Sequence, residues 1–215
     1  LSRRQEAGLR LQPLAQWADD NDLQYAPLVA DTWAMHGDWC GRPVRIECAV
    51  PSRPFIKGAE FMARLDLGRA TPDSVVVMNR MLKHHLERWA NELYSRYTEA
   101  LKTTAQQVPD EIRWLSMFRD TGWSGPEQRF WARHAVLTNA PDVARDWMQE
   151  EGPQRLMCWP EGTVGPETPL MLMLIKGRAC MRLQLDHGHD TRTVLHALDL
   201  FRHFGQQALE LPEAV

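Results

Sequence analysis

A chain of 215 residues carries enough material for one large domain or two small ones, and its 44 % apolar content and nine tryptophans exclude a disordered chain. The formal charge of −3 removes the basic excess that a protein coating nucleic acid needs. Only four of the 25 basic residues are lysines, and the arginines are scattered, the usage of a GC-rich bacterial genome. Cys40, Cys48, Cys158 and Cys180 form no C-x-x-C pair and match no zinc spacing, so four reduced thiols in a reducing compartment are expected. Three of them, Cys48, Cys158 and Cys180, sit in apolar runs that read as strands.

The stretch from Leu9 to Ala18, with Leu11, Leu14, Ala15 and Trp17, suits an amphipathic helix ending near Asn21. The period then changes to two. TWAMHGDW leads into CGRPVRIECAV, where Val44, Ile46 and Cys48 alternate with Arg45 and Glu47, and FMARLDL repeats the alternation with Phe61, Ala63 and Leu65. SVVVMN reads as a third, fully apolar strand. Leu82, Leu86, Trp89, Leu93, Tyr97 and Leu101 recur at helical spacing and predict the longest core helix. Pro109 and Asp110 open a second helix through Ile112, Trp114, Leu115 and Phe118.

FWARHAVLT and RLMCW read as strands, separated by a helix that starts at Asn139 and Pro141 and buries Val143, Ala144, Trp147 and Met148. PLMLMLIK and RACMRLQLD form a hairpin turning at Lys176-Gly177-Arg178, and a final helix runs from about Thr191 to Leu209. A Gly-Arg also follows the turn of the first hairpin, so the two ends of the chain faintly resemble each other. The expected class is α+β: antiparallel β-sheet with long helices packed on one side, in two similar lobes. Residues 1–122 would hold the N-terminal helix, strands and two helices, and residues 123–215 a strand–helix–strands–helix lobe packed with the first as one unit.

Chemistry-bearing motifs are sparse. QLDHGHDTR places His187 and His189 beside Asp186 and Asp190, and a helix cap at Asp190 or Thr191 explains these residue types without a metal. On the last helix His196, Asp199 and His203 follow one polar stripe opposite Val194, Leu198, Phe201 and Phe204. With His187 and His189 they are the alternative metal set for a metal-assisted enzyme, although no H-E-x-x-H or comparable motif is present. The adjacent His84 and His85 point about 100° apart on a helix and suit no shared ion. Neither a nucleophile elbow nor a glycine-rich phosphate loop occurs. No cofactor is expected.

The favoured contact residues are Trp39, Arg42 and Arg45 of the first hairpin, because Trp and Arg dominate the energetic centres of interfaces. They point to a non-catalytic binding or assembly module that takes a protein partner or self-associates. A small-molecule sensor pocket lined by Met and Trp is a further alternative. Arg3 and Arg4 near the start would suit the cytoplasmic flank of an upstream membrane segment, placing the domain in the cytoplasm or on the cytoplasmic face of the inner membrane.

Overall fold

The computed structural model describes residues 3–29, 31–99, 108–149 and 151–212, the side chains of 3–10 and 96–99 apart. Leu101, Glu150 and the side chains of Leu9 and Tyr97 therefore lie outside the described residues. Helix α1 (Arg3–Asp20) is followed by strands β1 (Leu23–Pro27), β2 (Trp33–Trp39), β3 (Arg42–Ala49), β4 (Ala59–Asp66) and β5 (Val75–Asn79). Then come α2 (Arg80–Glu99), α3 (Asp110–Met117), the short β6 (Arg119–Thr121), α4 (Gln128–Arg133) and β7 (His134–Thr138). The chain continues through α5 (Pro141–Met148), α6 (Glu151–Met157), β8 (Leu170–Ile175), β9 (Arg178–Leu185) and α7 (Thr191–Glu210).

The nine strands form one sheet in the order β1-β2-β3-β4-β9-β8-β5-β7-β6, with every neighbouring pair antiparallel. The α+β class with antiparallel sheet is thus the observed one. Strands from the two halves of the chain interleave, since β4 pairs with β9 and β5 lies between β8 and β7.

Alternation along the strands sorts the side chains into two clusters. Trp33, Met35, Val44, Ile46, Phe61, Leu65, Met181 and Leu183 face a large core closed by α1, α5, α6 and α7. The buried stripe expected on the last helix, Val194, Leu198, Phe201, Phe204 and Ala208, is 0 % exposed. On the opposite face Val76, Met78, Leu137, Met171 and Met173 meet Leu82, Leu86 and Ala90 of α2 and Ile112 of α3. The expected long core helix is α2, and Met171 and Met173 are core residues. This second cluster covers β5, β7 and β8 but stops at Cys180.

Two stretches expected as strands differ. RLMCW belongs to α6 and the turn after it, where Pro153 fits the first helical turn and Glu151 favours the helix N-terminus. Cys158 is accordingly exposed rather than part of an apolar strand. FWARHAVLT divides at Arg133: its first half completes α4, with Phe130 buried, and only His134–Thr138 pairs in the sheet. The second segment therefore opens with helix α4, not with a strand.

Candidate functional site

The first hairpin distributes the three expected contact residues over both faces of the sheet. Trp39 continues the core-facing row of β2, packing edge-on to Trp17 at 6.5 Å and against Phe201 at 5.8 Å between ring centroids. Its Nε1 donates to the Asn21 carbonyl at 3.3 Å. Arg42 starts the row that continues as Val44, Ile46 and Cys48, and its guanidinium lies against Gly68. Arg45 falls on the other face, exposed, 2.8 Å from Glu47. Trp39 and Arg42 thus share the helix-covered side, and Arg45 looks away from them.

On Arg45's side the described parts of α2 and α3 lie over β5, β7 and β8, and the hairpin end of β2, β3 and β4 carries the exposed His36, Arg45 and Arg64. Residues in register across these strands run His36, Arg45, Arg64 and then Cys180, with Arg178 next to Cys180's row and opposite Asp66. Arg64 and Arg178 are exposed, and among the described residues neither has an ion-pair partner. Asp66 turns its carboxylate to the Gly68 N–H at 2.9 Å. Two guanidiniums directly opposite each other in an antiparallel pair repel, so Arg45 beside Arg64 is a stored electrostatic cost. The alternation of FMARLDL and RACMRLQL already puts Arg64 and Arg178 off the core face. Their meeting with Arg45 depends on β4 pairing with both β3 and β9, which local periodicity does not carry.

Where this bare region meets α3, the structure has an ionic network that sequence reasoning missed. Arg182 Nε lies 2.8 Å from Glu60 Oε1, and its Nη1 donates to Glu111 Oε1 at 3.1 Å. Arg53 Nε reaches the same Glu111 oxygen at 2.6 Å. Glu60 and Glu111 are 2 % and 1 % exposed, so two carboxylates and two guanidiniums compensate one another almost without water. Burial pulls the Arg182 pKa down, and Glu60 and Glu111 oppose that shift. The network ties the connection at residues 50–57 and α3 to β4 and β9; each group has a structural partner, so the cluster is a clamp beside the open face.

The histidine-rich stretch is a strand-to-helix turn. Asp190 caps α7, its side chain accepting from Thr193 N at 3.3 Å and from Thr193 Oγ1 at 2.6 Å. The Gly188 carbonyl accepts from Trp33 Nε1 at 3.0 Å. His187 and His189 stack with ring centroids 3.9 Å apart, and His189 Nδ1 lies 3.3 Å from Asp31. Along α7, Asp199 accepts from Trp17 Nε1 at 2.8 Å, whereas His196 packs tilted against Trp159 at 4.6 Å and His203 packs against Phe204.

The polar stripe is thus half covered, with Trp17 of α1 against Asp199 and Trp159 against His196. Burial lowers the pKa of both His196 and His203. These five residues serve separate contacts, and the described residues contain no group of three or more His, Cys, Asp or Glu placed to hold a metal ion.

A cleft of about 440 Å³ opens between α4 and α6, with Phe130, Pro153 and Met157 on its walls and Arg129, Arg133 and Cys158 at its rim. No helix among the described residues is long and apolar enough to cross a membrane.

No protein-family model matches the chain, and no curated protein matches it in sequence. Among solved structures it is similar to the mycobacterial trehalose monomycolate transport factor A, TtfA, at 13 % identity over 99 % of this chain and 99 % of that one, with a TM-score of 0.49. So distant a likeness carries nothing to the function of this chain.

Proposed function

We propose that this chain is a non-catalytic binding or assembly module that takes an acidic protein partner on the uncovered part of its sheet. Arg45, expected as a contact residue, is joined there by Arg64 and Arg178. The observation that carries the reading is the in-register placement of Arg45 opposite Arg64 on a face that α2 and α3 leave open. A carboxylate seated between the two guanidiniums would remove their repulsion and accept bidentate hydrogen bonds from a planar donor set. The donors stand on paired strands, so little backbone entropy is lost on binding. Trp39 acts from behind, holding the hairpin onto α1 and α7, and Arg42 lies against Gly68. Reduced thiols suit a home in the cytoplasm or on the cytoplasmic face of the inner membrane.

In-cell cross-linking from a photoreactive residue at position 36 would identify the partner, and titration of the purified pair would give its affinity. The double charge reversal Arg45→Glu with Arg64→Glu should weaken binding at least about a hundredfold, as the loss of two desolvated charged contacts implies. Raised salt should weaken the wild-type complex as well. A partner that binds the reversed variant equally well, or a concentration-dependent dimer unaffected by it, would overturn the reading.

A further inference from the structure

The cleft between α4 and α6 is independent of the sheet face and has the chemistry of a small-molecule site. Its volume of about 440 Å³ falls within the range of ligand pockets. The floor is Phe130, which is 1 % exposed, and the opposite wall is Pro153 and Met157, one turn apart on α6. On α4, Arg129 and Arg133 are likewise one turn apart and share the rim.

The two guanidiniums are not equivalent. Arg129 is held by Glu127, with Nη2 to Oε2 at 2.9 Å. Arg133 has no ion-pair partner among the described residues, and its Nε is buried without a hydrogen-bond acceptor. A half-buried guanidinium with no carboxylate beside it leaves its charge to be met by water or by an anion entering the cleft.

We infer that this cleft binds a small amphiphilic monoanion, an apolar chain ending in a carboxylate, with the chain on Phe130, Pro153 and Met157 and the carboxylate on Arg133. A single uncompensated cation matches a single negative charge; a phosphate dianion would leave one charge unpaired, because Glu127 already takes Arg129. A fully polar acid would give up hydration against Phe130, Pro153 and Met157 for no contact in return.

The thiols give a direct readout on the unmodified protein. Cys158 is exposed at the rim of the cleft, and Cys40, exposed at the β2–β3 turn, serves as an internal control. Cys48 is buried and its thiol is pushed up to about 12, and Cys180 is pushed up to about 11, so both stay silent towards iodoacetamide at neutral pH. Octanoate should slow alkylation of Cys158 saturably while leaving the rate at Cys40 unchanged. Octanol should protect with about tenfold weaker affinity or worse, the loss of a charge-assisted hydrogen bond. Arg133→Gln should bring octanoate down to the level of octanol, and Arg133→Lys should restore part of the difference. Absence of protection by octanoate, or equal protection by octanol and octylamine in the wild type, would overturn the assignment without recourse to any variant.

Discussion

The β2–β3 hairpin turns at Cys40-Gly41 and the β8–β9 hairpin at Lys176-Gly177, and both turns use two successive left-handed residues, φ +53° and +72° in the first, +50° and +71° in the second. That is the geometry that matches the twist of antiparallel strands, and an arginine follows the glycine in each. From there the two diverge. Arg42 begins the row that continues as Val44, Ile46 and Cys48 towards the core under α1 and α7, whereas Arg178 begins the row of Cys180 and Arg182 on the opposite face, where Arg182 meets Glu111 of α3. The cause is a one-residue shift in the hydrophobic alternation, which exchanges the faces of every side chain in a strand. A shared turn therefore says nothing about which face its flanking arginine serves. Position in the sheet adds a second difference, because β2–β3 lies one strand from the β1 edge while β8–β9 lies at the centre.

Glycine substitution should make this contrast measurable. A Cβ on Gly177 would stand 1.9 Å from the Arg69 carbonyl oxygen, whereas one on Gly41 meets nothing within 4 Å. Gly177→Ala combines the left-handed penalty with a backbone collision and should cost about 3 kcal/mol or more, with loss of the folded state as the extreme result. Gly41→Ala carries only the conformational penalty, about 1 kcal/mol. Urea denaturation of the two variants side by side checks this; equal losses would mean that the central hairpin is no more constrained than the peripheral one.

A contrast of cover rather than of position appears among the ionisable groups, since β2 and β7 each lie one strand from an edge of the sheet. His36 on β2 is exposed, but His134 on β7 is 3 % exposed and stacked on Phe130 at 4.9 Å. Burial, with the Arg133 charge beside it, pushes the His134 pKa down to about 4 from its ordinary 6.5. Between those values the unfolded chain holds a proton on this residue that the folded chain refuses. Stability contributed by His134 is then complete above pH 6.5, falls as the pH drops towards 4 and levels off below it. The full loss is of the order of 3 kcal/mol. Denaturation midpoints at pH 7 and pH 4.5 should lie closer together in His134→Gln than in the wild type. An unchanged gap would place the acid sensitivity elsewhere.

Legibility in the sequence followed the range of the interactions. The stripe Leu82, Leu86 and Trp89, the alternation Val44, Ile46 and Cys48, and the Asp190 cap are decided within a few residues, and all are present as expected. RLMCW was ambiguous because a short apolar run suits a strand or a helix equally, and α5 and α6 follow each other with no strand between. In the ionic network of Arg53, Glu60, Glu111 and Arg182, the direct partners Glu111 and Glu60 stand 71 and 122 positions before Arg182, so no local pattern announces it. For the contact face, alternation sorted Arg45 from Arg42 and put Arg64 and Arg178 off the core, but only strand order brings them next to Arg45.

The smallest effect is also the one with the most informative sign. If Arg64 were kept for structure, its removal would destabilise the fold, as most substitutions do. Its surroundings argue the reverse. Arg64 stands opposite Arg45 on one side and Cys180 on the other, exposed and without an ion-pair partner among the described residues. Arg45 is already satisfied by Glu47, with Nε donating to Oε2 at 2.9 Å. Arg64→Thr removes a like-charge neighbour and supplies a β-branched residue suited to a half-exposed strand, so it should raise stability by about 0.2–1 kcal/mol. The gain should shrink in high salt, because it comes from relief of repulsion between exposed charges. Thermal melts at low and at molar salt resolve both parts. A variant that is more stable yet fails to hold its partner would mean that Arg64 is retained at a cost for binding. A loss of stability at either salt concentration would make the arginine a structural residue and remove the electrostatic argument for this face.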